Sequence, residues 1–347
     1  MIQHNPSLFP ARPGVIFMGT PDFALPSLEA LIAHDHHVQA VVTQPDRPRG
    51  RSGKPIPSPV KQLAKRFGIA VLQPERASDE SFCQAIGAIS PDLLVVIAFG
   101  QVLKKQLLDI PSWGGLNVHA SLLPKYRGAA PIQRAVMNGE RETGLTAMRM
   151  EQGLDTGPIL CQEKTTIGAR ETAGELHDRL AGMAATFLLK TLQHLAEDGI
   201  YETPQDDTLA TYAEKIDRNT GRILWGRPAD QISALIRGLD PWPGAYTTVN
   251  GKTLKLFSPR VVTAGDAVAV PGRVRGHTGD GLLVETGDGV ILLGALQLAG
   301  KKRLRASDFL RGFPLQPGTL LGPGPFSGPK TYLERRNERF HNPQRGP

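Results

Sequence analysis

Asn117 and His119 stand two residues apart in Asn117-Val118-His119-Ala120-Ser121-Leu122-Leu123-Pro124, which Tyr126-Arg127-Gly128 follows closely. On a strand, residues two apart face the same side, so an amide donor and an imidazole would point together. Such a pair can hold an oxygen on which negative charge develops and can handle a proton. On the spacing alone, a buried histidine satisfied by its neighbours is the better reading. Further along, Gly153-Leu154-Asp155-Thr156-Gly157 sets a carboxylate among glycines. On spacing alone that carboxylate reads as a turn residue beside glycine.

Other chemistries lack their residues. The first apolar run ends Met18-Gly19-Thr20-Pro21-Asp22-Phe23, with proline and a carboxylate where a dinucleotide turn needs G-x-G-x-x-G. No Walker A sequence occurs, so nucleotide chemistry is not expected. Cys83 and Cys161 form neither a CxxC nor a Cys/His pattern and are expected to be free thiols in a reducing compartment. His34, His36 and His37 cluster around Asp35 but have no fourth partner at ligand spacing, and no metal is expected there.

The elements that must carry Asn117 and His119 alternate in type. Strands are expected at Val15–Gly19, Val38–Thr43, Leu93–Ala98 and Gly115–His119. Helical patterns cover Phe23–Ala33, Val60–Phe67, Glu80–Ile89 and Pro131–Asn138. Alternation of this kind implies βαβ units and a parallel sheet, with sites at the carboxyl ends of its strands. Gly144–Met150 and Ile159–Thr166 read as antiparallel additions, and a helix over Ala173–Glu197 closes the domain. The polar, aperiodic stretch from Gly199 to Gly221 reads as a linker. Beyond a helix at Ala229–Leu239, short strands at 245–249, 253–258, 272–276, 282–285 and 290–298 suggest a small barrel of the OB type.

The 347 residues, 40% apolar and 21% charged, suit two globular domains. No run of about 18 apolar residues offers a membrane span, and Met1–Arg12 lacks the apolar core of a signal peptide. A cytoplasmic location is expected. Of the formal charge of +7, residues 222–312 supply +6, from thirteen Lys or Arg against seven Asp or Glu. A basic module of that size suits a polyanion, although a solvated basic surface has the same composition.

Asn-x-His followed by Ser-Leu-Leu-Pro and Arg-Gly resembles the superfamily that uses 10-formyltetrahydrofolate. The resemblance runs from about Gly14 to Gly312. It is carried also by Gly19-Thr20-Pro21-Asp22-Phe23, Thr43-Gln44-Pro45-Asp46-Arg47-Pro48, Pro57-Ser58-Pro59-Val60-Lys61, Gly128-Ala129-Ala130-Pro131-Ile132-Gln133-Arg134, Tyr212-Ala213-Glu214-Lys215-Ile216 and Pro241-Trp242-Pro243. Within the folate-dependent formyltransferase family, the chain is most similar to members acting on methionyl initiator tRNA.

The resemblance implies an α/β, Rossmann-like formyltransferase domain over residues 13–200 and a linker over 201–221. A C-terminal OB-type tRNA-binding domain follows over 222–314, then a flexible tail over 315–347. It implies Asn117, His119 and Asp155 as the catalytic set. Ser121, Leu122, Leu123 and Pro124 would line the folate pocket, with the Ala98–Leu103 segment nearby. 10-Formyltetrahydrofolate would be the donor and tetrahydrofolate the product, with no metal and no nucleotide.

Methionyl initiator tRNA would be the macromolecular partner of a monomeric enzyme without a membrane. Arg47, Arg51 and Lys54 would grip its acceptor end from the loop after the second strand, with Lys215 further along and Lys301, Lys302 and Arg303 tracking phosphates. The family's Arg-Gly-Lys-Lys pattern is altered here to Arg51-Ser52-Gly53-Lys54-Pro55. The alternatives are a formyltransferase acting on a nucleotide-linked amino sugar, a glycinamide ribonucleotide formyltransferase, a formyltetrahydrofolate hydrolase, and a non-catalytic tRNA-binding protein.

Overall fold

The computed structural model describes residues 2–3, 9–10, 12–48, 53–197, 201–262 and 270–322. The chain divides into two compact units, Met1–Ile216 and Asp217–Pro347.

In the first unit, chain order gives β1 (Val15–Gly19), α1 (Leu25–Ala33), β2 (Val38–Val42), α2 (Pro59–Arg66), β3 (Ala70–Leu72), α3 (Glu80–Ile89), β4 (Leu93–Ile97) and β5 (Gly115–His119). Then come α4 (Pro131–Met137), β6 (Glu142–Arg149), β7 (Ile159–Thr166) and α5 (Ala173–Glu197). The strands form one seven-stranded sheet in the order β7-β6-β5-β4-β1-β2-β3. Strands β1 to β5 are parallel, and β6 and β7 join antiparallel.

Val15-Ile16-Phe17-Met18-Gly19 and Leu93-Leu94-Val95-Val96-Ile97 are buried throughout, the unbroken apolar pattern of strands covered on both faces. Alternation divides their side chains. Phe17, Val95, Leu116 and Val118 enter a core with Leu28 of α1, Ala135 of α4 and Leu176 of α5. Ile16, Met18, Leu94 and Val96 enter a second core with Phe82 and Ile86 of α3. Asn117 and His119 alternate with Leu116 and Val118, so they lie on the face opposite the first core. The three-residue edge strand β3 was not expected from the sequence; it is too short to show a period.

Residues 201–216, expected as part of a linker, are packed into the first unit. Tyr212–Ala213 pairs in parallel with Arg127–Gly128, and Thr203 bridges Ile159. Hydrogen bonds hold much of the segment, and its buried apolar residues, Ala213 and Ile216, are too few to give an apolar period to read.

The second unit holds α6 (Ala229–Gly238), β8 (Tyr246–Val249), β9 (Lys252–Val262), β10 (Val274–Thr278), β11 (Gly281–Glu285), β12 (Val290–Leu298) and α7 (Ala306–Gly312). Its sheet is antiparallel, in the order β8-β9-β12-β11-β10. The outer strands do not pair with each other among the described residues. Both are reached instead by residues 318–322: Val274 N donates to Thr319 O (2.8 Å), and Gly322 N donates to Thr248 O (2.6 Å). Leu315 and Leu321 are buried with them. The structured part of the chain therefore reaches past 314, where a tail was expected to begin. Residues 323–347, the rest of that tail, lie outside the described residues.

Candidate active site

Strand β5 brings Asn117 and His119 to its carboxyl end, where both are mostly buried. Its neighbours fix them in register: Met148 of β6 and Val96 of β4 flank Asn117, and Thr146 flanks His119. The turn between β6 and β7 then carries Asp155 back toward the ring. His119 Nδ1 lies 3.7 Å from Asp155 Oδ2, with both side chains largely shielded from water.

The other ring nitrogen sets the tautomer. His119 Nε2 is 2.9 Å from the Tyr126 carbonyl oxygen, and a carbonyl only accepts, so Nε2 carries a proton. Nδ1 is left facing the carboxylate, able to take up a second proton whose charge Asp155 would balance. The 3.7 Å gap is longer than a hydrogen bond and acts as a charge contact. Asp155 Oδ2 also accepts from Gly128 N at 2.8 Å. Among the described residues the Asn117 amide has no hydrogen-bond partner, although the residue is only 8% exposed. The amide is not one of the buried polar atoms left without a partner, so within a mostly buried residue it opens onto accessible space, which suits a site that presents a donor to a bound oxygen.

Two residues here adopt positive φ without being glycine: Tyr126 with φ 63° and Asp155 with φ 55°. Gly128 has φ 119°, and a β-carbon there would meet Ala213 O at 2.9 Å. Tyr126 is anchored at several points. Its amide donates to Thr211 Oγ1 (2.9 Å), its hydroxyl donates to Glu140 Oε1 (2.7 Å), and Asn138 Nδ2 donates to that hydroxyl (3.1 Å). Burial first, and the Glu140 bond second, push its phenol up to about 12.

The Ser121–Pro124 turn adjoins this cluster. Ser121 is fully buried, and its hydroxyl donates to Lys125 O at 2.6 Å. Thr146 Oγ1 donates to Ser121 O and accepts from Leu123 N, while Gln162 Nε2 donates to Leu123 O. Ser121 and Leu123 thus shape the turn from within, and Leu122 and Pro124 are the partly exposed members. The Ala98–Leu103 segment is fixed by Gln44 and Thr20, which donate to Phe99 O.

Among the described residues no side-chain nucleophile joins the cluster. The Ser121 hydroxyl is engaged in the turn, and burial raises the thiols of Cys83 and Cys161. Among the described residues no group of three His, Cys, Asp or Glu is arranged to hold a metal. An amide, an imidazole and a carboxylate can stabilise an oxyanion and pass a proton, so an attacking group must come with the acceptor.

The basic residues fall into separate places. Arg47 and Lys54 are exposed near a short ladder, Arg47–Pro48 against Pro55–Ile56, that closes the base of the loop after β2. Lys61 Nζ holds that base by donating to Asp46 Oδ2 and Gln73 Oε1, each at 2.6 Å. Arg51 lies outside the described residues. Lys215, Lys301 and Lys302 are exposed. Arg303 is engaged otherwise: its guanidinium makes a two-pronged bridge to Asp240 (2.9 and 3.0 Å) and lies 3.9 Å from the Phe257 ring centroid.

The sequence reading missed Gln205 and Asp207 around this site. Gln205 Nε2 donates to Asp155 O and Gly157 O (2.8 and 2.7 Å), and its Oε1 accepts from Arg127 Nε and Nη2 (3.1 and 2.8 Å). Arg127, 2% exposed, also donates to Asp207 Oδ1 at 2.8 Å.

Residues 12–192 match the family described as Formyl transferase, and residues 215–314 match Formyl transferase, C-terminal domain. A methionyl-tRNA formyltransferase from Pelobacter propionicus is 51% identical over 308 residues, 89% of this chain and 96% of the relative. Among solved structures, an N-formyltransferase from Helicobacter canadensis in complex with folinic acid and dTDP-3-aminofucose is similar in fold. Its TM-score is 0.60 at 17% identity, covering 84% of this chain and 100% of that one. HypX from Aquifex aeolicus in complex with tetrahydrofolic acid gives a TM-score of 0.60 at 15% identity, covering 90% of this chain. This chain spans about half of HypX, 51% of its length.

Proposed function

The chain belongs to the formyl transferase family, and on that premise we propose how Asn117, His119 and Asp155 carry out its reaction. The protein transfers a formyl group from 10-formyltetrahydrofolate to the α-amine of methionyl initiator tRNA. It acts as a monomer in the cytoplasm, and among the described residues no helix is long and apolar enough to cross a membrane.

A free α-amine has a pKa of about 7.7–8.0, so a useful neutral fraction exists near neutral pH without a strong base. The harder task is to hold the negative charge that grows on the formyl oxygen as the amine attacks. Asn117 donates its unpaired amide to that oxygen. The His119 imidazolium adds charge, balanced by Asp155 across 3.7 Å. The same pair then relays the amine's proton toward the departing folate nitrogen. Leu122 and Pro124 offer apolar surface to the folate, while Arg47, Arg51, Lys54 and Lys215 serve the RNA from the first unit. Lys301 and Lys302 serve it from the second, as salt-sensitive phosphate contacts.

The observation that carries the reading is the accessible, unpaired amide of the mostly buried Asn117 beside the His119–Asp155 pair. The test measures formyl transfer from 10-formyltetrahydrofolate to methionyl initiator tRNA, methionyl elongator tRNA and a nucleotide-linked amino sugar. Transfer to the initiator above the elongator is expected. Transfer to the amino sugar alone would overturn the assignment.

A further inference from the structure

We infer that Gln205 is a positioning residue that sets the Asp155 loop against His119 and so governs the rate of transfer rather than substrate binding. The inference rests on the roles proposed for Asp155 and His119.

Asp155 sits at φ 55°, a left-handed backbone state that residues other than glycine adopt sparingly and that persists only where its surroundings impose it. Gln205 is what holds that backbone. Its side-chain amide spans the loop and Arg127: its NH2 donates to the carbonyls on both sides of the turn, Asp155 O and Gly157 O, and its oxygen accepts from two donors of the buried Arg127. Arg127 is followed directly by Gly128, whose amide donates to the Asp155 carboxylate. The bonds therefore close a circuit from Gln205 through Asp155, its carboxylate, Gly128 and Arg127 back to Gln205. Gly157 leaves no slack, because a β-carbon there would fall 1.8 Å from Arg149 O.

The Asp155–His119 contact is a charge contact at 3.7 Å rather than a hydrogen bond. Its strength depends on placement, and Gln205 supplies that placement from outside the catalytic set. Gln205 bonds the Asp155 loop and Arg127 and, among the described residues, neither Asn117 nor His119, so its effect on chemistry runs through Asp155.

The test is a double-mutant cycle. Gln205→Glu keeps an acceptor for Arg127 but turns oxygen toward the two loop carbonyls, and it is made in wild-type and in Asp155→Asn protein. kcat, KM for both substrates and the thermal midpoint are measured for each. Gln205→Glu is expected to lower kcat on the order of 100-fold, the effect of a displacement near 1 Å, with both KM values held within about twofold. In the Asp155→Asn background it should lower kcat little further, because the two substitutions act on one contact. Gln205→Asn, uncharged and one methylene shorter, repeats the cycle without an added charge and guards against misfolding of the first variant. Independent, multiplying losses in the double variants, or an unchanged kcat in both single Gln205 variants, would overturn the inference while leaving Asp155 in place. An unchanged kcat in Asp155→Asn alone would overturn the assignment of Asp155 and this inference with it.

Discussion

The phenol of Tyr126 donates to Glu140 Oε1 across 2.7 Å, at the far end of the residue whose carbonyl holds His119. Burial and that bond push the phenol up to about 12, whereas a tyrosine in an unfolded chain ionises near 10. Unfolding at high pH therefore releases a proton. The stabilisation is complete below about pH 10 and is lost as pH rises toward about 12. Urea unfolding followed between about pH 9 and pH 11.5 should show a steeper loss of stability in the wild type than in Tyr126→Phe. Equal slopes would contradict the assignment.

Asn117→Ala should lose about 10²–10³ in kcat, the usual effect of removing one oxyanion donor. The amide has no partner among the described residues, so the fold should be retained. Near-wild-type turnover, with circular dichroism unchanged, would remove Asn117 from the mechanism.

Gly128→Ala should be harmful out of proportion to one methyl group. The position has φ 119°, and the new carbon would meet Ala213 O at 2.9 Å. A loss of about 1–3 kcal/mol is expected in chemical unfolding. Activity should fall as well, because the Gly128 amide bonds the Asp155 carboxylate. A variant as stable and active as the wild type would show that the close approach relaxes freely.

The basic run of the second unit should divide by function. Lys301→Ala and Lys302→Ala should weaken tRNA binding and each reduce its salt slope by about 1. Arg303→Ala should instead lower stability by about 1–2 kcal/mol, discounted for its partly exposed guanidinium, because it strands the buried Asp240 carboxylate. Titrations of tRNA at several salt concentrations, beside thermal unfolding, separate the two outcomes.

Much of the fold was legible because its strands and helices repeat. Val15–Gly19, Gly115–His119, Ile159–Thr166 and Val290–Leu298 have the bounds expected from apolar pattern. The spacing of Asn117 and His119 was legible for the same reason, since strand alternation places them on one side. What escaped the pattern is held by individual polar bonds. Residues 201–216 have no apolar period, yet Gln205 and Thr211 bind the carbonyls and amides around the site. The Lys301–Arg303 run looked uniform, because a sequence does not show that Arg303 alone has a buried carboxylate within reach. Ser121 was expected to face the folate, but its fully buried side chain tightens the turn instead.

Residues 318–322 bond both outer strands of the second sheet, one at Val274 and the other at Thr248. They act as a cover over two edges that would otherwise offer free amides and carbonyls to any neighbouring chain. A protease that stopped beyond Gly322 would leave this cover in place. One that cut at 314, where the family match ends, would strip both edges at once and leave a domain prone to aggregate.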